Sequence, residues 1–219
     1  MRVLVIDTAL DACTAAVFEE SRPLAVRSEP MTKGHQERIG GLVRDVVAEA
    51  GGGFAALDRI GVTVGPGSFT GLRVGLAFAQ GLGAALDRPV VGVSTLVALA
   101  WSADSGVGRT AAVIDARRGQ VYVQQFQDGE PVGAPEAVAI DSARDRLAGD
   151  DGRRVGSGAA LVSDDAGTLA VLTTPSPAAL AALTAAADPA SAPPRPLYLR
   201  APDATPPTRL PGQPRPARP

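Results

Sequence analysis

The sequence is poor in the residues on which metal, redox and acid–base chemistry most often depend. It holds one cysteine, Cys13, and one histidine, His35, in 219 residues. A single cysteine excludes an internal disulfide and fits a reducing compartment. One histidine and one cysteine cannot assemble a zinc- or iron-type ligand set. Lysine is as scarce, Lys33 standing alone among 21 lysines and arginines, and the formal net charge is −2. The whole molecule therefore carries no electrostatic footprint for nucleic acid. Aromatic residues make up only 4%. No apolar run reaches about 18 residues, so no membrane span is expected. No basic start followed by an apolar core precedes the first strand, so no signal peptide is expected and the reading is cytoplasmic. No GxxxxGK[ST] loop occurs, which excludes a P-loop nucleotide site.

What is present is 45% hydrophobic residues, enough for one large domain or two lobes of about 100 residues each. The β-branched run 2–8 reads as a buried strand, with 13–18 and 23–28 as hairpin neighbours. Ile39, Leu42, Val43, Val46 and Val47 recur at helical spacing and make 35–50 an amphipathic helix that stops at Gly51-Gly52-Gly53. A strand at 59–64, a helix at 68–86, a strand at 90–93 and a short helix at 95–102 complete the order β-β-β-α-β-α-β of a ribonuclease-H-like lobe.

The second half begins in the same way. Val5-Ile6-Asp7 reappears as Val113-Ile114-Asp115, and at the same offset Phe18 matches Phe126 and Pro23 matches Pro131. The expected fold is α/β, with two ribonuclease-H-like lobes at 1–103 and 104–200. In the second lobe, strands and helices are expected at 119–127, 142–148, 154–159 and 178–187. Proline is frequent from Ala190 onward, so a packed ending is not expected, although Pro196–Arg200 could dock. Residues 201–219 read as a disordered tail.

The segment Gly65-Pro66-Gly67-Ser68-Phe69-Thr70-Gly71-Leu72-Arg73 joins a strand to a helix in which Gly71, Gly75, Ala79 and Gly83 recur every four residues. Each glycine inside a helix costs about 1 kcal/mol against alanine, so something must approach this stripe closely. Ser68 resembles a nucleophile elbow only superficially, because the G-x-S-x-G spacing fails at Pro66 and Thr70. Ser68 or Thr70 as a helix cap and an anion at the helix start are both open. A nuclease of this fold needs carboxylates converging on metals. Asp7 could be one, but the strand 59–64 runs into Gly-Pro-Gly without an acid. A sugar-kinase-like site would use Asp7 and Thr8 with the loop Gly156-Ser157-Gly158, yet the second hairpin turn, Ala116-Arg117-Arg118-Gly119, departs from a tight glycine turn. Cys13 reads as a core residue and His35 as a helix-start residue. The fold thus looks built for catalysis while the catalytic residues look absent.

The motifs Ile6-Asp7-Thr8, GPGSFTGLR at 65–73, Gly75, Asp115-Ala116-Arg117, Tyr122, His35-Gln36-Glu37 and Pro196-Leu197-Tyr198-Leu199-Arg200 together resemble the bacterial TsaB (YeaZ) family over about residues 3–200. The resemblance implies a two-lobed actin-like ATPase fold. It also implies a non-catalytic dimerisation subunit in the synthesis of N6-threonylcarbamoyladenosine, the modification on the adenosine following the anticodon of tRNA. The implied partners are the catalytic subunit TsaD, the ATPase TsaE and a second copy of the chain, with tRNA reached through the complex. No cofactor of its own is implied, and ATP or ADP would sit at the heterodimer boundary; Asp7, Thr8, Gly156 and Gly158 are the weak cofactor candidates. The expected partner surface is the helix pair 35–50 and 68–86, through Ile39, Leu42, Val46, Gly71, Leu72, Gly75, Leu76, Ala79 and Gly83. The alternative is a stand-alone actin-like ATPase or small-molecule kinase.

Overall fold

A computed structural model describes residues 1–104, 108–165, 169–170 and 172–200. The first sheet has the order β3-β2-β1-β4-β5, built from β1 (Arg2–Asp7), β2 (Ala12–Glu19), β3 (Arg22–Pro30), β4 (Arg59–Gly65) and β5 (Val90–Ser94). β1, β2 and β3 pair antiparallel, while β4 and β5 add in parallel through crossover helices α1 (His35–Ala50) and α2 (Phe69–Leu86). The second sheet repeats this plan as β8-β7-β6-β9-β10, from β6 (Arg109–Arg117), β7 (Gln120–Gln127), β8 (Glu130–Ala139), β9 (Arg153–Val155) and β10 (Leu169–Ala170). Helices α4 (Ile140–Leu147) and α5 (Ala159–Val162) belong to it, and α3 (Thr95–Asp104) lies between the two sheets. Two ribonuclease-H-like halves are therefore present. The sequence repeat survives in detail: Asp7 ends β1, Asp115 lies two residues before the end of β6, and each accepts the backbone N–H two residues on.

Alternation along the strands sorts the first core into two layers. Leu4, Ile6, Ala15 and Val17 face α1 and α2, together with Ile39, Leu42, Val46 and Leu76. Val3, Val5, Ala16 and Phe18 face the opposite way, onto Leu180 and Ala181 of α6 (Pro177–Ala186). This corrects the sequence-based placement of that helix in the second lobe. Gly61 explains the return: a side chain there would collide with Thr184, so only glycine admits α6 this close to the sheet. Arg59 then donates to the carbonyls of Thr184, Ala185 and Ala187 at 2.7–3.2 Å, satisfying the C-terminal end of α6.

The proline-rich residues that follow are packed, against expectation. They run as a strap along the edge strand β5 and over α2. Prolines have no N–H to lose, and the neighbouring carbonyls are used as acceptors: Gly92 N–H donates to Ala192 at 2.9 Å and Gln80 Nε2 to Pro194 at 2.7 Å. Leu197 N–H then donates to Val64 at 2.8 Å and Arg200 reaches Ala116 of the second sheet at 2.7 Å. The tail 201–219 lies outside the described residues.

Candidate functional site

The turn after β4 and the start of α2 settle what approaches the small-residue stripe. A side chain at Gly71 would meet the Thr8 carbonyl, one at Gly75 the Thr8 hydroxyl, and one at Gly83 the side chain of Val90. Thr8 donates its hydroxyl to the Gly71 carbonyl at 2.7 Å, and Ser68 N–H donates to the Ala9 carbonyl at 2.7 Å. The stripe is therefore taken up by this chain's own sheet and β1–β2 loop. Ser68 is the N-cap of α2, its Oγ accepting the Gly71 N–H at 3.3 Å.

This corrects the expected partner surface residue by residue. Ile39, Leu42 and Val46 on α1, and Gly71, Leu72, Gly75, Leu76, Ala79 and Gly83 on α2, are all buried within the chain. The outer side of α2 has a different character. Ala77, Gly81, Ala84 and Ala85 are exposed, Val74, Phe78 and Leu82 half-buried, and no charge occurs from Val74 to Leu86. Among the described residues α2 is the one helix long and apolar enough to cross a membrane by length and composition. That apolarity divides between a glycine stripe committed to the sheet and an open, uncharged outer face.

The cofactor candidates are likewise withdrawn from solvent. Asp7 is 1% exposed. Its Oδ1 accepts from Ala9 N–H at 2.9 Å and from the Thr63 hydroxyl at 2.8 Å, and its Oδ2 is buried with no partner. Burial pushes its pKa above the ordinary carboxylate value, against the opposing pull of Ala9, Thr63 and His35. Thr8 is sealed under α2. Gly156 and Gly158 pack on the backbone of Val113 and Asp115. These four do not form an open phosphate cradle, so the residues do not fit a nucleotide held in the manner of a kinase. Among the described residues no group of three or more His, Cys, Asp or Glu could hold a metal ion. Cys13 is buried, and burial, with Glu29 and Asp7 nearby, pushes its thiol up to about 11, which suits a core residue. His35 is buried at the start of α1.

An open cleft of about 940 Å³ lies between the halves, near the upper end of ordinary ligand-pocket sizes. One side is the turn Pro66–Ser68 with Phe69 and Arg73, another is Ile114–Arg117 of β6, and the strap residues Leu197–Arg200 close the third. At its mouth Phe69 and Tyr198 lie 5.5 Å apart, centroid to centroid, and the Arg73 guanidinium sits 3.7 Å from the Phe69 centroid. Arg73 Nε donates to the Tyr198 hydroxyl at 3.1 Å. Sequence reasoning missed this cluster, because its members come from segments far apart in the chain. Phe69 and Arg73 at i and i+4 on one helix were the available signal. On the facing wall Arg117 takes positive φ, 63°, as does the next residue, Arg118, at 56°, and Asp115 holds the turn through the Arg117 N–H at 2.7 Å and its guanidinium at 3.1 Å.

Comparison with known proteins agrees with this architecture. Residues 26–155 match the family model described as TsaD, tRNA N6-adenosine threonylcarbamoyltransferase. The chain is 39% identical over 132 residues to the tRNA threonylcarbamoyladenosine biosynthesis protein TsaB of Escherichia coli K12, a match covering 59% of this chain and 57% of that protein. It is 30% identical over 177 residues to the protein of the same name from Haemophilus influenzae, covering 74% and 75% of the two chains. The solved structure of YeaZ from Pseudomonas aeruginosa superposes with a TM-score of 0.76 at 30% identity, over 90% of this chain and 99% of that one.

Proposed function

We propose that this chain, which belongs to the TsaB (YeaZ) family, serves the synthesis of N6-threonylcarbamoyladenosine in tRNA as a supporting subunit that docks on a TsaD-type catalytic subunit. The pathway is that of its named relatives. The observation that carries the docking role is the outer face of α2. An uncharged surface of Val74, Ala77, Phe78, Gly81, Leu82 and Ala85 beside α1 is open in the isolated chain. Such a face gains free energy when another helix pair covers it, and its alanines and glycine permit close approach. The helices are those expected from the sequence; the docking face is the opposite one. The same face would serve a second copy of the chain when the catalytic subunit is absent, and TsaE would join the assembled pair. ATP or ADP belongs, in this reading, to the boundary with the catalytic subunit. The burial of Asp7 and Thr8 argues against a stand-alone ATPase or kinase.

Co-purification with the catalytic subunit, followed by threonylcarbamoyl transfer to tRNA, tests the proposal. Wild type should co-purify and raise transfer. Ala77→Arg should keep a wild-type circular dichroism melt yet lose co-purification, because a charge on the apolar face must be desolvated unpaired. Retained binding by Ala77→Arg, or ATP turnover by the chain alone that vanishes in Asp7→Ala, would sink it.

A further inference from the structure

We infer that the mouth of the interlobe cleft binds one unpaired nucleotide, its base stacked on the Phe69–Tyr198 pair and its phosphate on Arg73. The inference rests on the proposed role in tRNA modification for its biological sense, and on the side chains of the cleft for its chemistry.

Phe69 and Tyr198 are 50% and 45% exposed, and they are the only aromatics among the exposed large hydrophobics of the described residues. Two rings left half in water, side by side on the wall of a cleft, offer a further flat ring a face to stack on. The Arg73 guanidinium carbon lies 3.7 Å from the Phe69 centroid, and its Nε is fixed by the Tyr198 hydroxyl. No acidic partner for Arg73 occurs among the described residues, and its Nη groups remain available as donors. A guanidinium held over a ring with its outer N–H groups free suits a phosphate. Leu72 and Leu197 give the cleft apolar depth, and Arg200 brings a second guanidinium whose Nε is buried without a partner. Two carboxylates line the cleft, Asp11 and Asp115, and Asp115 is occupied by Arg117 at 3.1 Å. Stacking recognises any base, so the site reads the class of ligand and not its sequence. A metal-bound triphosphate is a poorer fit, because the buried Asp7 does not reach the cleft.

The nucleotide has two sources, an unpaired position of tRNA or a free mononucleotide. Fluorescence anisotropy with an unmodified tRNA transcript and calorimetry with AMP, on the full chain alone and bound to the catalytic subunit, separate them. Phe69→Leu and Tyr198→Leu should each weaken binding by about fivefold or more. Arg73→Gln should lower the slope of log affinity against log salt by about 0.7 for tRNA, a change that a purely structural role would not produce. Loss confined to AMP assigns the site to a free mononucleotide and supports the same chemistry. Unchanged affinity for both ligands in all three variants, with wild-type melting curves, overturns the inference. If the three variants still assemble with the catalytic subunit and bind both tRNA and AMP as wild type does, only this inference falls. If wild type fails to assemble, the subunit role falls while the nucleotide site is still decided by the isolated chain.

Discussion

At the scale of single residues, Asp7 shows how the local chemistry has been diverted. It ends the first strand where an actin-like enzyme would place a working carboxylate, yet it lies under α2 with one oxygen bonded to Ala9 and Thr63 and the other bonded to nothing. Its raised pKa has a definite consequence for stability. In the folded chain the carboxyl holds its proton to higher pH than in the unfolded chain. Below the ordinary value of 3.8 both states are protonated; above it the unfolded state ionises first, and folding stability is lost as pH rises through the folded-state pKa. Asp7→Asn removes this dependence while keeping an acceptor for Ala9 and Thr63. Urea unfolding of wild type and Asp7→Asn should therefore show the difference moving in favour of asparagine as pH rises above 3.8. A difference independent of pH would mean that Asp7 is charged in the fold.

At the scale of elements, α2 carries two faces with opposite demands, and its glycines separate them. Gly71 abuts the Thr8 carbonyl, so Gly71→Ala must push backbone and should destabilise the chain by about 1–3 kcal/mol despite the gain in helix propensity. Gly81 has open space around its Cα, so Gly81→Ala should stabilise the isolated chain by about 0.5–1 kcal/mol. Thermal or denaturant unfolding of the two variants checks both, and equal effects would refute the division of faces. The helices themselves were legible in the sequence: the 3.6-residue period of Ile39, Leu42, Val43, Val46 and Val47 marks α1 from His35 to Ala50, as observed. The stripe of α2 was legible as a close-approach surface, but periodicity specifies a face and not what covers it. Thr8, separated from Gly71 by most of the lobe's sequence, is the reason the stripe turns inward. The Phe69–Arg73–Tyr198 cluster was illegible for a related reason, since only the path of the strap brings Tyr198 to α2.

At the scale of the whole molecule, the repeated halves are tied together by the segment that looked least able to pack. Reading lobes in chain order assigns residues 104–200 to the second lobe. Gly61 and Arg59 draw α6 back to the first sheet, and the strap then runs from α6 along β5 to the second sheet at Ala116. The strap covers an edge strand that would otherwise present unpaired backbone groups, places Leu197 against the first core, and builds one wall of the cleft. Ending the chain at Ala187 removes all three contributions. The shortened chain should lose about 2 kcal/mol or more of unfolding free energy, from the half-buried Leu197 and the lost hydrogen bonds. Its Gly92 amide, bonded to Ala192 in the intact chain, should exchange with solvent as an open edge does. A chain ending at Arg200 is the control, and it should keep both the protection and the stability. Equal Gly92 exchange in the two chains would show that β5 is held without the strap.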